Sequence, residues 1–145
     1  MQAQLFSYPL LIKENHLDAF CHVNNAMYLT LFEEARWDIV TKNGYGLKQI
    51  LEIGLAPTIL EVNLRFLKEV RLREQVVIQT QVLSYRGKVG KLEHKMLRQD
   101  VLCCSAELTI GLFSLKDRKM VSPTAEWLKA IGMKKDDMIT VFPPS

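Results

Sequence analysis

The segment His16-Leu17-Asp18-Ala19-Phe20-Cys21-His22-Val23-Asn24-Asn25-Ala26-Met27-Tyr28 sets one carboxylate, Asp18, in a loop just ahead of a helix start. A helix N-terminus carries unpaired N–H groups and the positive end of a dipole. Such donors can hold an oxyanion as it develops in acyl transfer. An aspartate, with an ordinary pKa of ~3.9, is ionised at neutral pH and can attack a carbonyl or deprotonate a water. A thiolate, whose parent thiol has a pKa of ~8.5, departs without a strong acid. One carboxylate and a few backbone donors are therefore enough to cleave a thioester. The same residues also fit a plainer role, an acidic side chain paired with a helix dipole.

Other side chains compete for chemical roles. Phe32-Glu33-Glu34-Ala35-Arg36 follows on the helix, and either glutamate is a reserve carboxylate; both also fit a solvated or salt-bridged helix surface. His16 and His22 flank Asp18, and His22 is either a base or substrate contact or a loop histidine that orients backbone. Arg86 and Lys88 bracket Gly87, and Arg65 lies on a polar strand face; these cations suit phosphates, Arg by bidentate geometry, but also fit a solvated turn. The three cysteines, Cys21, Cys103 and Cys104, are odd in number and include an adjacent pair, which is no disulfide framework. No Cys-x-x-Cys and no matching His pair suggests zinc, so no metal and no cofactor is expected. Cys104 reads as a small core hydrophobe, Tyr28 as core, and His94 as a satisfied core residue.

These residues need a frame. Leu5 to Ile12 is apolar, contains Pro9 and reads as an irregular first strand. A polar loop spans Lys13 to Asn24. Tyr28, Phe32, Ala35 and Ile39 recur at helical spacing, which predicts a helix from about Asn25 to Asn43, capped by Asn24 or Asn25 and stopped at Gly44. From Pro57 the period changes to two. Leu60, Val62, Leu64 and Phe66 form one alternating set, Val76 to Val82 a second, Leu92, His94 and Met96 a third, and Cys104 to Leu112 a fourth. They predict four half-buried antiparallel strands with turns near Glu69–Arg73, Arg86–Lys88 and Gln99–Asp100. A short helix from about Thr124 to Ile131 ends at Gly132. The class is α+β, with the long helix laid across the apolar face of the sheet. A sheet curved round one helix leaves edges, and joining them between copies predicts at least a dimer.

The 145 residues, 48% hydrophobic and 24% charged, fit one domain spanning 1–145 and argue against disorder. No apolar run approaches the ~20 residues of a membrane-spanning helix, and Met1 to Leu11 lacks a signal-peptide pattern, so a cytoplasmic protein without a membrane is expected. A net charge of +3 with scattered cations does not suggest nucleic acid.

Asp-Ala-Phe-x-His-Val-Asn-Asn-x-x-Tyr followed by Phe-Glu-Glu-Ala-Arg resembles the 4-hydroxybenzoyl-CoA thioesterase-like family of hotdog proteins, over roughly Leu5 to Leu115. The resemblance implies a hotdog fold, a long central helix wrapped by a curved antiparallel sheet, in homodimers that share a sheet and often pair into homotetramers. It implies an acyl-CoA thioesterase acting on acyl-CoA, or on an acyl carrier protein, with Asp18 as the catalytic carboxylate. The N–H of Asn25 would polarise the thioester carbonyl, at a site between subunits. His22, Tyr28, Arg65, Arg86 and Lys88 are the substrate-binding candidates. A hotdog dehydratase and a non-catalytic acyl-binding module are the competing activities on this scaffold. One residue departs from the family pattern, Cys21 where Gly is usual, which predicts a loop of different shape.

Overall fold

The computed structural model describes residues 3–134 and Asp137. The chain runs β1 (Phe6–Leu11), a one-turn 3-10 helix (Glu14–His16), α1 (Asn25–Lys42), α2 (Leu47–Ile53), β2 (Leu55–Phe66), β3 (Gln75–Arg86), β4 (Val89–Arg98), β5 (Val101–Ser114), β6 (Lys119–Val121) and α3 (Ala125–Ala130). All six strands join one antiparallel sheet in the order β1-β3-β4-β5-β2, with β6 added to β5. The register shifts at Ile59/Glu61, Val82/Ser84 and Met96/Leu97. Such bulges bend a strand and raise its twist, and they let this sheet curve around α1. Pro9 sits in β1 opposite Val77, at a sheet edge, where a missing N–H is tolerated.

α1 forms as its sequence requires. Asn24 is the N-cap, and its Oδ1 accepts from Ala26 N at 2.9 Å. Past the C-terminus Gly44 adopts φ +87, a left-handed turn that glycine takes without a Cβ clash. Tyr28, Leu31, Phe32, Ala35, Ile39 and Val40 are the buried face of α1. All but Ile39 join Val76, Ile78 and Val82 of β3, Met96 of β4 and Leu108 and Leu112 of β5 in one core. Burying Phe32 alone contributes about 2–3 kcal/mol. α3 closes one end of this core, with Thr124 Oγ1 accepting from Trp127 N at 3.2 Å and Trp127 Nε1 donating to Tyr85 OH at 3.2 Å. Cys103 and Cys104 are buried, and burial pushes the Cys104 thiol up to about 12, so it packs as an inert hydrophobe.

The structure differs from the periodicity in two respects. α2, β6 and the 3-10 helix carry no periodic signal long enough to read, being one or two turns or three residues. More important, the Leu60-Val62-Leu64-Phe66 set predicted a half-buried strand, but Leu60, Val62 and Phe66 are 50%, 38% and 52% exposed. β2 is an edge strand, and in one chain little covers its apolar side chains. No helix among the described residues is long and apolar enough to cross a membrane.

Candidate active site

The loop that carries Asp18 is a tight turn closed on that residue. Asp18 N donates to His22 O at 2.9 Å, and Cys21 N donates to Asp18 O at 3.1 Å. The side chain completes it: Asp18 Oδ1 accepts from Phe20 N at 2.9 Å and from His22 N at 3.4 Å. Both bonds fall on Oδ1, which leaves Oδ2 for a reactant. The carboxylate is half-buried. Cys21 holds φ +66 in this turn. That left-handed conformation is one glycine takes freely, and here the cysteine bears its strain itself.

The turn is anchored on both sides. Leu17 bridges Val23, Asn24 N donates to His16 O at 3.0 Å, and Val23 N donates to Val70 O at 2.9 Å. His16 is buried, and its Nδ1 accepts from Lys13 N at 2.9 Å. His22 bridges Arg71, and its Nε2 lies 3.2 Å from Glu69 Oε2. His22 thus ties the loop to the β2–β3 connection. Straight after the turn α1 begins. Ala26 N is spent on the Asn24 side chain and Met27 N on Asn24 O, while Asn25 N finds no acceptor among the described residues. A half-buried carboxylate and an unspent helix-terminal N–H thus flank one loop.

The other expected residues separate into three groups. Tyr28 is 4% exposed and its ring lies 5.5 Å from Phe66. Burial, reinforced by Cys104, Cys103 and the Asp18 charge and opposed by Arg98, pushes Tyr28 up to about 12, so it stays neutral. Arg65 is exposed on β2, beside Phe66 and at the same end of the sheet as Asp18. Arg86 and Lys88 are not brought to Asp18. Phe66 pairs with Cys104 of β5, whereas Val89, next to the hairpin, pairs with Gly111. Seven residues of strand separate those levels, ~23 Å at ~3.3 Å per residue. Within one chain the basic hairpin and the carboxylate stand at opposite ends of the sheet.

Of the reserve glutamates, Glu34 accepts from Tyr8 OH at 2.6 Å, and this bond, with burial, pushes Tyr8 up to about 12. Glu33 is exposed and lines a cavity of about 120 Å³ beneath α1 with Arg36, Thr80, Val82, Leu92 and Trp127. Next to that cavity lies a buried chain that the sequence reading missed. Arg36 Nη1 is 3.1 Å from His94 Nε2, His94 Nδ1 is 2.8 Å from Thr80 Oγ1, and the His94 ring stacks on Phe32 at 4.9 Å and 7°. Guanidinium only donates, so Nε2 accepts and the Nδ1–H donates to Thr80. Strand alternation put His94 on the apolar face, but nothing in the sequence reveals that Thr80 faces it across the ladder.

A model of the thioesterase-like superfamily matches residues 13–132. Long-chain acyl-CoA thioesterase FadM of Escherichia coli (strain K12) is 27% identical over 117 residues, 79% of this chain and 88% of its own. The crystal structure of YbaW, a probable thioesterase from Escherichia coli, superposes with a TM-score of 0.78 at 24% identity, over 87% of this chain and 98% of that one. A hypothetical protein of Staphylococcus aureus, solved in complex with CoA, superposes with a TM-score of 0.83 at 18% identity, over 100% of this chain and 90% of that one. Both superpositions show the same fold, a curved antiparallel sheet around a long helix.

Proposed function

The chain belongs to the thioesterase-like superfamily, and from that premise we propose that it is a cytoplasmic acyl-CoA thioesterase whose reaction is carried by Asp18. The observation that carries this reading is the Asp18 turn. It fixes one carboxylate oxygen on two backbone N–H groups and leaves the other without a partner in the turn that leads into α1. The thioester carbonyl oxygen accepts from Asn25 N, in the positive end of the α1 dipole. Asp18 then activates a water or attacks the carbonyl carbon, and the thiolate leaves without needing an acid. The naming of the Escherichia coli relative as a long-chain acyl-CoA thioesterase supports coenzyme A as the carrier.

The same reading makes the working unit at least a homodimer. β2 is a long sheet edge with Ile59, Leu60, Val62 and Phe66 exposed on it. An edge of that kind is a ready template for another strand. If two copies pair β2 antiparallel, the Leu55 end of one lies beside the Phe66 end of the other. The basic hairpin of one copy would then arrive at the end of the sheet where the other copy holds Asp18. This supports Arg86 and Lys88 as holders of the coenzyme A phosphates in trans, with Arg65 nearby. His22 and Tyr28 shape the loop and wall of the pocket.

Asp18→Asn tests the reading. Asparagine keeps an acceptor for Phe20 N and His22 N, so the turn stays closed, but it is neither base nor nucleophile. Turnover across a panel of acyl-CoA substrates should fall at least about a hundredfold, the low end of general-base contributions. Near-normal turnover in a folded variant refutes the assignment and moves the search to Glu33 or Glu34.

A further inference from the structure

The cavity beneath α1 has walls of Val82, Leu92, Ile110 and Trp127, which suit a hydrocarbon, yet Arg36 and Thr80 also line it. Arg36 is half-buried. A guanidinium offers five N–H donors, and the partner found for it is His94 Nε2, a neutral acceptor. No ion pair among the described residues includes Arg36. None of the other Arg36 nitrogens is both buried and unpartnered, so those donors are open, and with Arg36 on the cavity wall they can meet an acceptor that enters the cavity. Glu33 lies on the same wall. Its carboxylate would repel a second carboxylate but can accept from a hydroxyl.

We propose that the preferred acyl group carries an uncharged oxygen, a hydroxyl or oxo group, that docks on Arg36 in this cavity, so that Arg36 sets acyl specificity. The proposal rests on the thioesterase reading and deepens it. Arg36 lies eleven residues beyond Asn25 on α1, ~16 Å along the axis. A medium- or long-chain acyl group spans a distance of that order. A cavity of about 120 Å³ is a little smaller than the ~150 Å³ one that accepts a benzene ring, so it takes a few methylenes and the oxygen. Thr80 and His94 hold Arg36 in place from behind, with Phe32 fixing the His94 ring.

The test compares decanoyl- and dodecanoyl-CoA with the same thioesters bearing a hydroxyl on the terminal or penultimate carbon. In the native protein kcat/KM should favour a hydroxyacyl thioester, and Arg36→Met should shrink that ratio about tenfold or more, the scale of one hydrogen bond to a charged group. Arg36→Lys, which keeps the charge and loses the fork, should restore part of the ratio. Circular dichroism and melting confirm that the variants fold. Equal kcat/KM for plain and hydroxylated thioesters, or an unchanged ratio in Arg36→Met, overturns the proposal. So does a preference for thioesters ending in a carboxylate. If the native protein hydrolyses no thioester, the enzymatic reading fails by itself, and calorimetry with methyl hydroxydodecanoate against methyl dodecanoate still decides the cavity. Tighter binding of the hydroxylated ester that Arg36→Met abolishes supports the proposal, and equal binding overturns it.

Discussion

Acid should destabilise this protein through His94 in a way that one substitution removes. The ring is fully buried, with Nδ1 2.8 Å from Thr80 Oγ1, Nε2 3.1 Å from the Arg36 guanidinium, and one face on Phe32. A proton on Nε2 would have to face an existing cation in an apolar setting. Burial first, and Arg36 second, hold the pKa of His94 well below its ordinary value. In the unfolded chain the same imidazole takes its proton near pH ~6.5. Below that pH the unfolded state binds a proton that the native state refuses. The contribution is therefore intact above ~6.5 and is lost as pH falls, by up to ~1.4 kcal/mol per pH unit, until the native pKa is reached. Two pH units thus cost at most ~2.7 kcal/mol, a large share of the 5–15 kcal/mol typical of a domain. His94→Gln keeps polar atoms at the position and does not titrate. Urea unfolding of both proteins at a series of pH values from about 7 to about 4.5 measures the gap between them, and titrations common to both cancel. The native protein should lead at neutral pH and its lead should shrink steadily below ~6.5. Two stability curves that stay parallel over that range would show that His94 is not held neutral, and the reasoning from burial would fail.

Cys21→Gly should raise stability by about 1 kcal/mol, because φ +66 strains the cysteine and not glycine; calorimetry should find Tm a few degrees higher, and a lower Tm contradicts it. Gly90→Ala should cost about 1–3 kcal/mol, since a Cβ there would sit 2.7 Å from Tyr85 Cδ2; an unchanged urea midpoint contradicts it. Val62→Lys puts a charge on the exposed β2 edge and should leave a folded monomer by light scattering; an intact dimer would move the interface elsewhere.

Local rules made much of this molecule legible in its sequence. Asn24 capping α1, Gly44 ending it and Gly132 following α3 each depend on a few neighbouring residues, so a single chain segment suffices to read them. Alternation identified β3, β4 and β5 because these interior strands have one face on α1, and burial imposes the period of two. The motif around Asp18 was legible because a tight turn and the helix start after it bring its groups together within eight residues, Asp18 to Asn25. What depends on distant pairing was not legible. Alternation marked Leu60, Val62 and Phe66 as apolar, but only the sheet order shows that β2 is an edge strand whose side chains stay largely uncovered in one chain. The Gly87 turn marked Arg86 and Lys88, but only the register shows that within one chain they stand at the far end of the sheet from Asp18, because each strand reversal is fixed by pairing and not by composition. Arg36, Thr80 and His94 come from three elements, 58 positions apart between Arg36 and His94, and only the packing of α1 on the sheet makes them one hydrogen-bonded chain.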